Sequence, residues 1–323
     1  MLDFANLVSS LPGGVAQGLI WGIMAIGVYL TYKILDIADL TVDGTMCTGG
    51  AVCVMMMLHG YNVWVALLVA FLAGLAAGAL TGLFHTAMGI PAILAGILSQ
   101  LALYSINLRI MDDKANQAIN PSNFDLLVSL RDVRQFALDN PILVALIFTA
   151  VIIALLYWFF GTELGSGIRA TGANPNMSRA QGINVDFNKV LGLMLSNGLV
   201  ALSSGLLAQY QGFIDTNTGR GAIVIGLAAV IIGDVLFSRI FRNFALKLLG
   251  VVFGAIIYYL VMQVVLWLKV DSDMLKVLSA AIVAIFLAVP YWKGKYIPVK
   301  IKHLPENTEA AAASAGKEGK DNA

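Results

Sequence analysis

Long uncharged, apolar runs dominate the chain. No Asp, Glu, Lys or Arg occurs between Gly44 and Leu108, and a single helix of that run would be about 97 Å long at about 1.5 Å per residue. The hydrocarbon core of a bilayer is about 30 Å thick, so the run must fold back on itself as two or three spans. Applied to the whole chain, this reasoning predicts nine spans, near residues 13–32, 41–58, 62–84, 91–107, 141–160, 189–210, 221–238, 248–268 and 275–292.

Composition supports an integral membrane protein. The chain is 59% hydrophobic and 12% charged, whereas soluble domains are about a quarter charged. We expect an all-α, polytopic helical bundle of about 8–10 transmembrane helices in the plasma membrane. The net charge of +1, without a basic cluster outside the C-terminal tail, argues against nucleic acid as a partner.

The spans imply a simple organisation. Residues 1–12 are expected to form an interfacial amphipathic segment ahead of a membrane domain over 13–292. An external loop at 108–140 carries Leu126, Leu127, Leu130, Val133 and Phe136 at helical spacing, which predicts an amphipathic surface helix. The polar tail, residues 293–323, is predicted to be disordered and cytoplasmic, since that orientation leaves most of the 20 Lys and Arg residues inside.

A polar connection at 161–189 contains signals for a short helix. Asn174 suits the N-cap, Pro175 the first helical position and Gly182 the C-terminal end. The pattern predicts a helix over Pro175–Gln181. A plain link between two spans needs only a few residues, so this segment is expected to have a function of its own.

Three strings resemble one family of transport proteins. Residues 165–185, GSGIRATGANPNMSRAQGINV, resemble the cytoplasmic coupling segment of ABC importer permeases in the family of branched-chain amino acid and ribose permeases. Residues 37–52, IADLTVDGTMCTGGAV, and 217–234, NTGRGAIVIGLAAVIIGD, look like that family's glycine-rich segments. ILAGIL at 93–98 and MLSNGLVAL at 194–202 are similar to its single-permease subgroup, which is linked to aromatic amino acid (tryptophan or tyrosine) uptake.

The resemblance implies partners. In that family the short helix docks into a cytoplasmic ATPase, two permease copies form a homodimer within the membrane lipid, and an extracellular solute-binding lipoprotein delivers the solute. No GxxxxGK[ST] motif occurs here, so ATP and Mg²⁺ are expected on the partner, and this chain is expected to be no enzyme and to bind no cofactor or metal. The implied coupling residues are Ala173, Asn174, Pro175, Asn176, Met177, Ser178 and Arg179.

The other two strings suggest a solute pathway. Both are polar, glycine-rich starts of short spans in two corresponding halves, a pattern typical of transport sites. Asp39 and Asp43 would share one helical face if their segment were helical, and ionisable groups in spans are candidates for function. Interfacial carboxylates, glycines at helix crossings and amides that join helices are the alternatives. The candidate pathway residues are Asp39, Asp43, Gly44, Gln100, Asn197 and Gly221.

Two other functional classes were weighed. An intramembrane enzyme would need a catalytic pair or a zinc motif; no HExxH occurs, and Ile231 stands where a GxGD protease motif needs glycine. A stand-alone secondary transporter or channel would also use interrupted helices, but it has no need of a docking helix.

Overall fold

α-Helices make up most of the part of the chain that the structure describes. The computed structural model describes residues 4–121, 124, 126–134, 140–237, 240–241, 243–268, 274, 277, 279–286 and 288. Within them, seven helices are long and apolar enough to cross a membrane, which confirms the predicted all-α polytopic bundle. They are α1 (Phe4–Tyr29), α2 (Thr41–Leu58), α3 (Val63–Thr86), α4 (Ala92–Ile110), α5 (Pro141–Phe159), α8 (Val185–Gln211) and α10 (Phe244–Trp267).

The remaining elements are short. A helix of 16 residues, α9 (Ala222–Phe237), corresponds to the predicted seventh span, and α6 (Glu163–Ala173) and α7 (Pro175–Ala180) lie between α5 and α8. The strands β1 (Asn116–Ala118) and β2 (Phe213–Asp215) pair antiparallel, with Gln117 opposite Ile214. This ribbon joins the end of α4 to the end of α8.

Three helices form the centre of the bundle. In the most apolar 18-residue stretch of each helix, 83% of residues are buried in α1, 78% in α2 and 72% in α8, against 33% in α3 and 28% in both α4 and α5. Helix α8 contacts α1, α2 and α3, and α1 also packs along α10 and α9. The outer helices direct exposed apolar side chains outward, as lipid-facing helices do.

A glycine stripe brings α3 very close to α8. Gly74, Gly78 and Gly82 repeat every four residues and lie on one face of α3. A Cβ on Gly74 or Gly78 would clash with the α8 backbone, and one on Gly82 would lie 2.9 Å from the Val190 Cα atom. Small residues at this spacing allow the backbones of membrane helices to pack directly against each other.

Two predicted surface helices differ from the structure. Helix α1 is continuous from Phe4 and contains Pro12, so residues 4–12 are its first turns instead of a separate interfacial helix. In the described part of 108–140, the chain forms β1 and a 3₁₀ turn at Leu130–Arg134. Of the residues at helical spacing, Leu126, Leu127 and Val133 pack against the bundle, whereas Leu130 is exposed. Phe136 lies outside the described residues.

The C-terminal predictions fall largely on residues that are not described. Of the predicted ninth span, 275–292, the structure describes 277, 279–286 and 288, and residues 279–286 are helical. The predicted disordered tail, 293–323, lies outside the described residues.

Candidate translocation and coupling sites

A buried carboxyl group lies where the chain enters α2. A π-helical turn at Leu30–Ile34 ends α1, and the chain then continues without regular structure through Asp36, whose φ is +55°, to Asp39 before α2 begins. Asp39 is 2% exposed. One of its oxygens accepts a hydrogen bond from the Thr41 backbone N–H at 2.9 Å, and the other accepts from Asn197 Nδ2 at 2.7 Å. These bonds connect the start of α2 to the middle of α8.

Asn197 extends this contact into a network. Its Oδ1 atom accepts from the Thr45 hydroxyl at 2.7 Å, while Nδ2 also donates to the Leu193 carbonyl at 3.0 Å. Beside it, the Thr41 and Thr81 hydroxyls lie 2.7 Å apart, and Thr81 donates to Ser99 at 2.7 Å. We call these six side chains the polar cluster: Asp39, Thr41, Thr45, Thr81, Ser99 and Asn197. It joins α2, α3, α4 and α8.

The other candidate carboxylate, Asp43, binds the end of a helix. Asp43 lies in the first turn of α2 and accepts hydrogen bonds from the backbone N–H groups of Gly221 and Ile223, both at 3.0 Å. It therefore caps the N-terminus of α9, where the partial positive charge of the helix favours an anion. Gly221 has φ +84°, a conformation that favours glycine.

The predicted common face of Asp39 and Asp43 is wrong. Asp39 precedes the helix and points to α8, whereas Asp43 lies within α2 and points to α9. Both carboxyl groups are nevertheless bound inside the bundle.

The last two predicted pathway residues meet at a helix crossing. A Cβ on Gly44 would lie 3.1 Å from the Gln100 Cα atom, so Gly44 allows α2 to approach α4 closely. Asn107 on α4 donates to the Gly44 carbonyl at 3.3 Å. The structure thus brings the six predicted residues together in three pairs around α2, and in this arrangement Gly44 and Gly221 have structural roles.

The predicted short helix is confirmed at one end of the bundle. Asn174 accepts from the Met177 N–H at 3.0 Å, Pro175 occupies the first helical position, and Gly182 follows the helix with φ +79°. The Ile183 N–H returns to the Ser178 carbonyl at 3.1 Å. Capping at both ends makes α7 a defined helix despite its six residues.

Most of α7 is exposed. Of the seven predicted coupling residues, Ala173, Asn174, Pro175, Asn176, Met177 and Arg179 are exposed, and the Met177 side chain is 64% exposed. Ser178 is buried, so it holds α7 to its own chain and offers no surface to a partner. Arg179 lies 3.8 Å from Asp186 in a loose, exposed ion pair, which leaves its guanidinium accessible.

Helix α6 holds α7 against the bundle, and the sequence alone did not predict it. Gly165 and Gly172 contact the backbones of Phe160 and Ile34, where a Cβ would clash. Asn188 on α8 donates to Thr171 at 3.2 Å. The signal was present, since Thr162 followed by Glu163 is a typical helix start, and Thr162 does cap α6.

The chain was compared with known proteins. The family described as "Branched-chain amino acid transport system / permease component" matches residues 10–287. The chain belongs to this permease family. A tyrosine transport system permease protein of Clostridioides difficile is 38% identical over 281 residues, covering 87% of this chain and 91% of that protein. A fructose import permease of Bifidobacterium longum is 27% identical, covering 96% and 89%.

A solved structure supports the fold of the permease. PsaBC from Streptococcus pneumoniae, in complex with a Fab, superposes with a TM-score of 0.52 at 15% identity and covers 91% of this chain and 100% of that chain. At this identity the likeness concerns the fold alone. The resemblance read from the sequence strings, including the aromatic amino acid subgroup, is confirmed by the family match and the C. difficile relative.

Sequence reasoning missed four members of the polar cluster in this permease. Thr41, Thr45, Thr81 and Ser99 are each at most 1% exposed, and hydroxyl groups in apolar helices are common enough to attract no attention alone. A useful signal was the presence of a hydroxyl residue in each of three consecutive spans, because buried hydroxyls need partners.

Proposed function

We propose that this permease forms the membrane pathway of an ATP-driven importer and that α7 receives the force of ATP hydrolysis from a separate subunit. The observation that carries the proposal is a doubly capped helix at the end of the bundle that, together with Ala173 and Asn174 before it, exposes six of the seven candidate coupling residues. A helix built for its own protein would bury an apolar face. Met177 instead extends outward, and Arg179 can form charge-assisted hydrogen bonds with a partner.

The solute we propose is an amino acid with an aromatic side chain. The support is the 38% identical relative named for tyrosine transport, whereas the relative named for fructose is only 27% identical. In cells that express the whole system, unlabelled tyrosine or tryptophan should reduce uptake of labelled tyrosine, while leucine and fructose should not. Equal competition by fructose would assign the permease to sugars.

The complete transporter we propose is a homodimer of this chain with two cytoplasmic ATPases, which bind ATP and Mg²⁺, and an external solute-binding lipoprotein. The support is the family's role as a permease component and the placement of two possible partner surfaces, since α7 precedes the start of α8 and the β1–β2 ribbon follows its end. We further propose that the polar cluster and the Asp43 cap border the pathway, and the support is that both lie around α2, which is largely buried in the centre of the bundle.

The coupling role is tested by an Ala173→Trp, Arg179→Glu variant. The indole would hold the two subunits apart, and the new carboxylate reverses the charge offered to the partner. We expect the variant to lose the ATPase on pull-down and to lose uptake. The matched control is Ala115→Trp, Lys114→Glu, which makes the same changes at exposed residues beyond α4 and should keep the ATPase. Normal recovery and coupled hydrolysis in the first variant would refute the docking role.

The proposed orientation places the N-terminus outside and α7 and the C-terminus in the cytoplasm. Both native cysteines, Cys47 and Cys53, are buried, so they should give little background to a membrane-impermeant thiol reagent. In intact cells, Lys114→Cys should be labelled and Asn176→Cys should not, since both residues are exposed at opposite ends of the bundle. Labelling at residue 176 would overturn the orientation and the docking role together.

A further inference from the structure

A cavity of about 900 Å³ lies beside the coupling unit at the α7 end of the bundle. It is bordered by the end of α1 with its π-helical turn, the end of α5, helix α6 and the start of α10. None of the six candidate pathway residues lines it. Its lining residues are Tyr29, Lys33, Ile34, Tyr157, Trp158, Phe160, Gly161, Thr162, Arg169, Gly172, Ala173, Asn243, Phe244 and Lys247.

The charged part of the lining is basic. Lys33, Arg169 and Lys247 come from three different elements and face one space. Lys33 is paired with Asp234 at 3.2 Å. Arg169 and Lys247 form no ion pair with any residue that the structure describes, and both are exposed. Asp234 lines a small adjoining pocket beside Lys247, but the described lining of the cavity itself has three cations and no carboxylate, which makes it a site for a negatively charged group.

The rest of the lining is aromatic. Tyr157 and Trp158 lie in the last turn of α5 and are 50% and 70% exposed. Phe160 and Phe244 form the inner wall, with ring centroids 5.1 Å apart. Tyrosine and tryptophan concentrate where membrane helices meet the headgroup region. The cavity thus combines cations with an aromatic wall at the ends of helices that are long and apolar enough to cross a membrane.

We propose that this cavity binds an anionic phospholipid. The phosphate lies between Arg169 and Lys247, and the upper part of the acyl chains lies against Trp158 and the Phe160–Phe244 pair. Basic pockets between membrane helices are known to bind anionic headgroups, and about 900 Å³ is within the size range of ligand sites. Because the cavity lies at the α7 end, we place the lipid in the cytoplasmic leaflet, and that placement alone rests on the proposed function.

Such a lipid would bridge elements that otherwise touch little. Arg169 belongs to α6, which supports α7, while Lys247 belongs to the first turn of α10. The phosphate would thereby join the coupling unit to the start of α10 through two charge-assisted contacts.

The test uses the full purified chain in a neutral detergent, after removal of native lipid. Native mass spectrometry measures the apparent Kd for phosphatidylglycerol and for phosphatidylcholine with the same acyl chains. The wild-type chain should bind phosphatidylglycerol at least tenfold more tightly. An Arg169→Ala, Lys247→Ala variant should lose about 25-fold of that affinity, about fivefold for each cation, which corresponds to roughly 1 kcal/mol per cation near a lipid surface. Phosphatidylcholine binding should not change.

Matched single variants separate the cavity from general surface charge. Lys247→Ala should weaken phosphatidylglycerol binding about fivefold, and Lys247→Arg should restore it. Lys189→Ala removes a lysine from the first turns of α8, outside the cavity, and should have no effect. Equal losses at residues 189 and 247 would refute the site.

Two further binding measurements test whether the ligand is a lipid. Millimolar inorganic phosphate should not displace phosphatidylglycerol if the acyl chains contribute to binding; displacement would show a free-anion site and overturn the proposal. Binding should also persist when the ATPase is added. Loss of the lipid on ATPase binding would show that the cavity is part of the protein interface. Because the lipid experiment needs no ATPase, its failure leaves the proposed importer function intact.

Discussion

The starts of α2 and α7 use the same local device in opposite environments. At each one, an acidic or amide side chain just before the helix accepts a hydrogen bond from a backbone N–H group of the first turn. Asp39 is buried and is also bound by Asn197 of α8, whereas Asn174 is exposed and makes its bond within α7 alone. The first therefore connects helices, and the second only shapes one.

This difference separates two kinds of functional residue. In the polar cluster, the hydrogen-bonding capacity of each side chain is used inside the bundle, so a substitution there should damage the fold as well as transport. On α7 the exposed side chains contact little within the described chain, so substitutions should leave the fold intact and affect only assembly. Substitutions in the polar cluster should therefore lower stability, whereas substitutions on α7 should lower complex formation with the partner.

The largest effect is expected at Asn197. Changing it to Leu removes the donor to Asp39 and the acceptor for Thr45, and each buried group left without a partner costs about 1–3 kcal/mol. We expect a loss of about 3 kcal/mol, measured as a lower thermal unfolding midpoint in detergent. Asn107→Leu is the matched control, because Asn107 is equally buried but its hydrogen bond to the Gly44 carbonyl is longer, at 3.3 Å, and its Oδ1 atom has no partner among the described residues. Equal losses would contradict a special role for the cluster.

A smaller effect is expected at Asp43. Asp43→Ala removes the cap of α9 from the Gly221 and Ile223 N–H groups and should cost about 2 kcal/mol. Faster hydrogen exchange at residues 221–223 is the specific readout. Asp43→Asn keeps an acceptor oxygen and should retain about half of the protection. If hydrogen exchange at residues 221–223 is as slow in both variants as in the wild type, the Asp43 cap does not stabilise α9.

A loss of stability confined to α7 is expected when its N-cap is removed. Asn174→Ala should destabilise α7 by about 1 kcal/mol and speed hydrogen exchange of the Met177 amide, with the global unfolding midpoint unchanged. Asn176→Ala, two residues away and also exposed, should leave that exchange rate unchanged. A fall in the global midpoint for Asn174→Ala would show that α7 is part of the cooperative core.

The smallest change in stability is expected at Met177. Met177→Ser removes an exposed apolar side chain and should alter the free energy of unfolding by no more than about 0.5 kcal/mol, while lowering recovery of the ATPase on pull-down. Ser178→Met, at the adjacent buried position, should lower stability instead. The opposite result for the two neighbours would reverse the assignment of the exposed and buried faces of α7.

Much of this architecture follows from local sequence patterns. Seven long spans and the boundaries of α7 could be predicted because hydropathy, Pro175, Asn174 and Gly182 act locally. Gly74, Gly78 and Gly82 repeat on one face of α3, but their partner on α8 is more than a hundred residues away, so only the fold reveals the contact.

The sequence was sufficient to identify the residues of the candidate site, but it did not show which of them contact each other. Asp39 and Asp43 were identifiable because carboxylates are costly in a membrane. The four-residue spacing suggested a shared face, yet the irregular segment before Thr41 places Asp39 outside the helix. That segment is stabilised by a hydrogen bond to Asn197, 158 positions away, and such long-range contacts leave no periodic pattern in the sequence.

The close packing of α3 on α8 has a mechanical consequence. Helix α8 begins only a few residues after α7, and Asn197 lies about 18 Å along its axis from Val185 at about 1.5 Å per residue. The backbones of α3 and α8 touch without intervening side chains, so few side-chain rearrangements are available to absorb a displacement of one helix against the other. A displacement of α7 would therefore move α8 as a rigid body together with α3. Through Asn197, that movement would reach the buried start of α2.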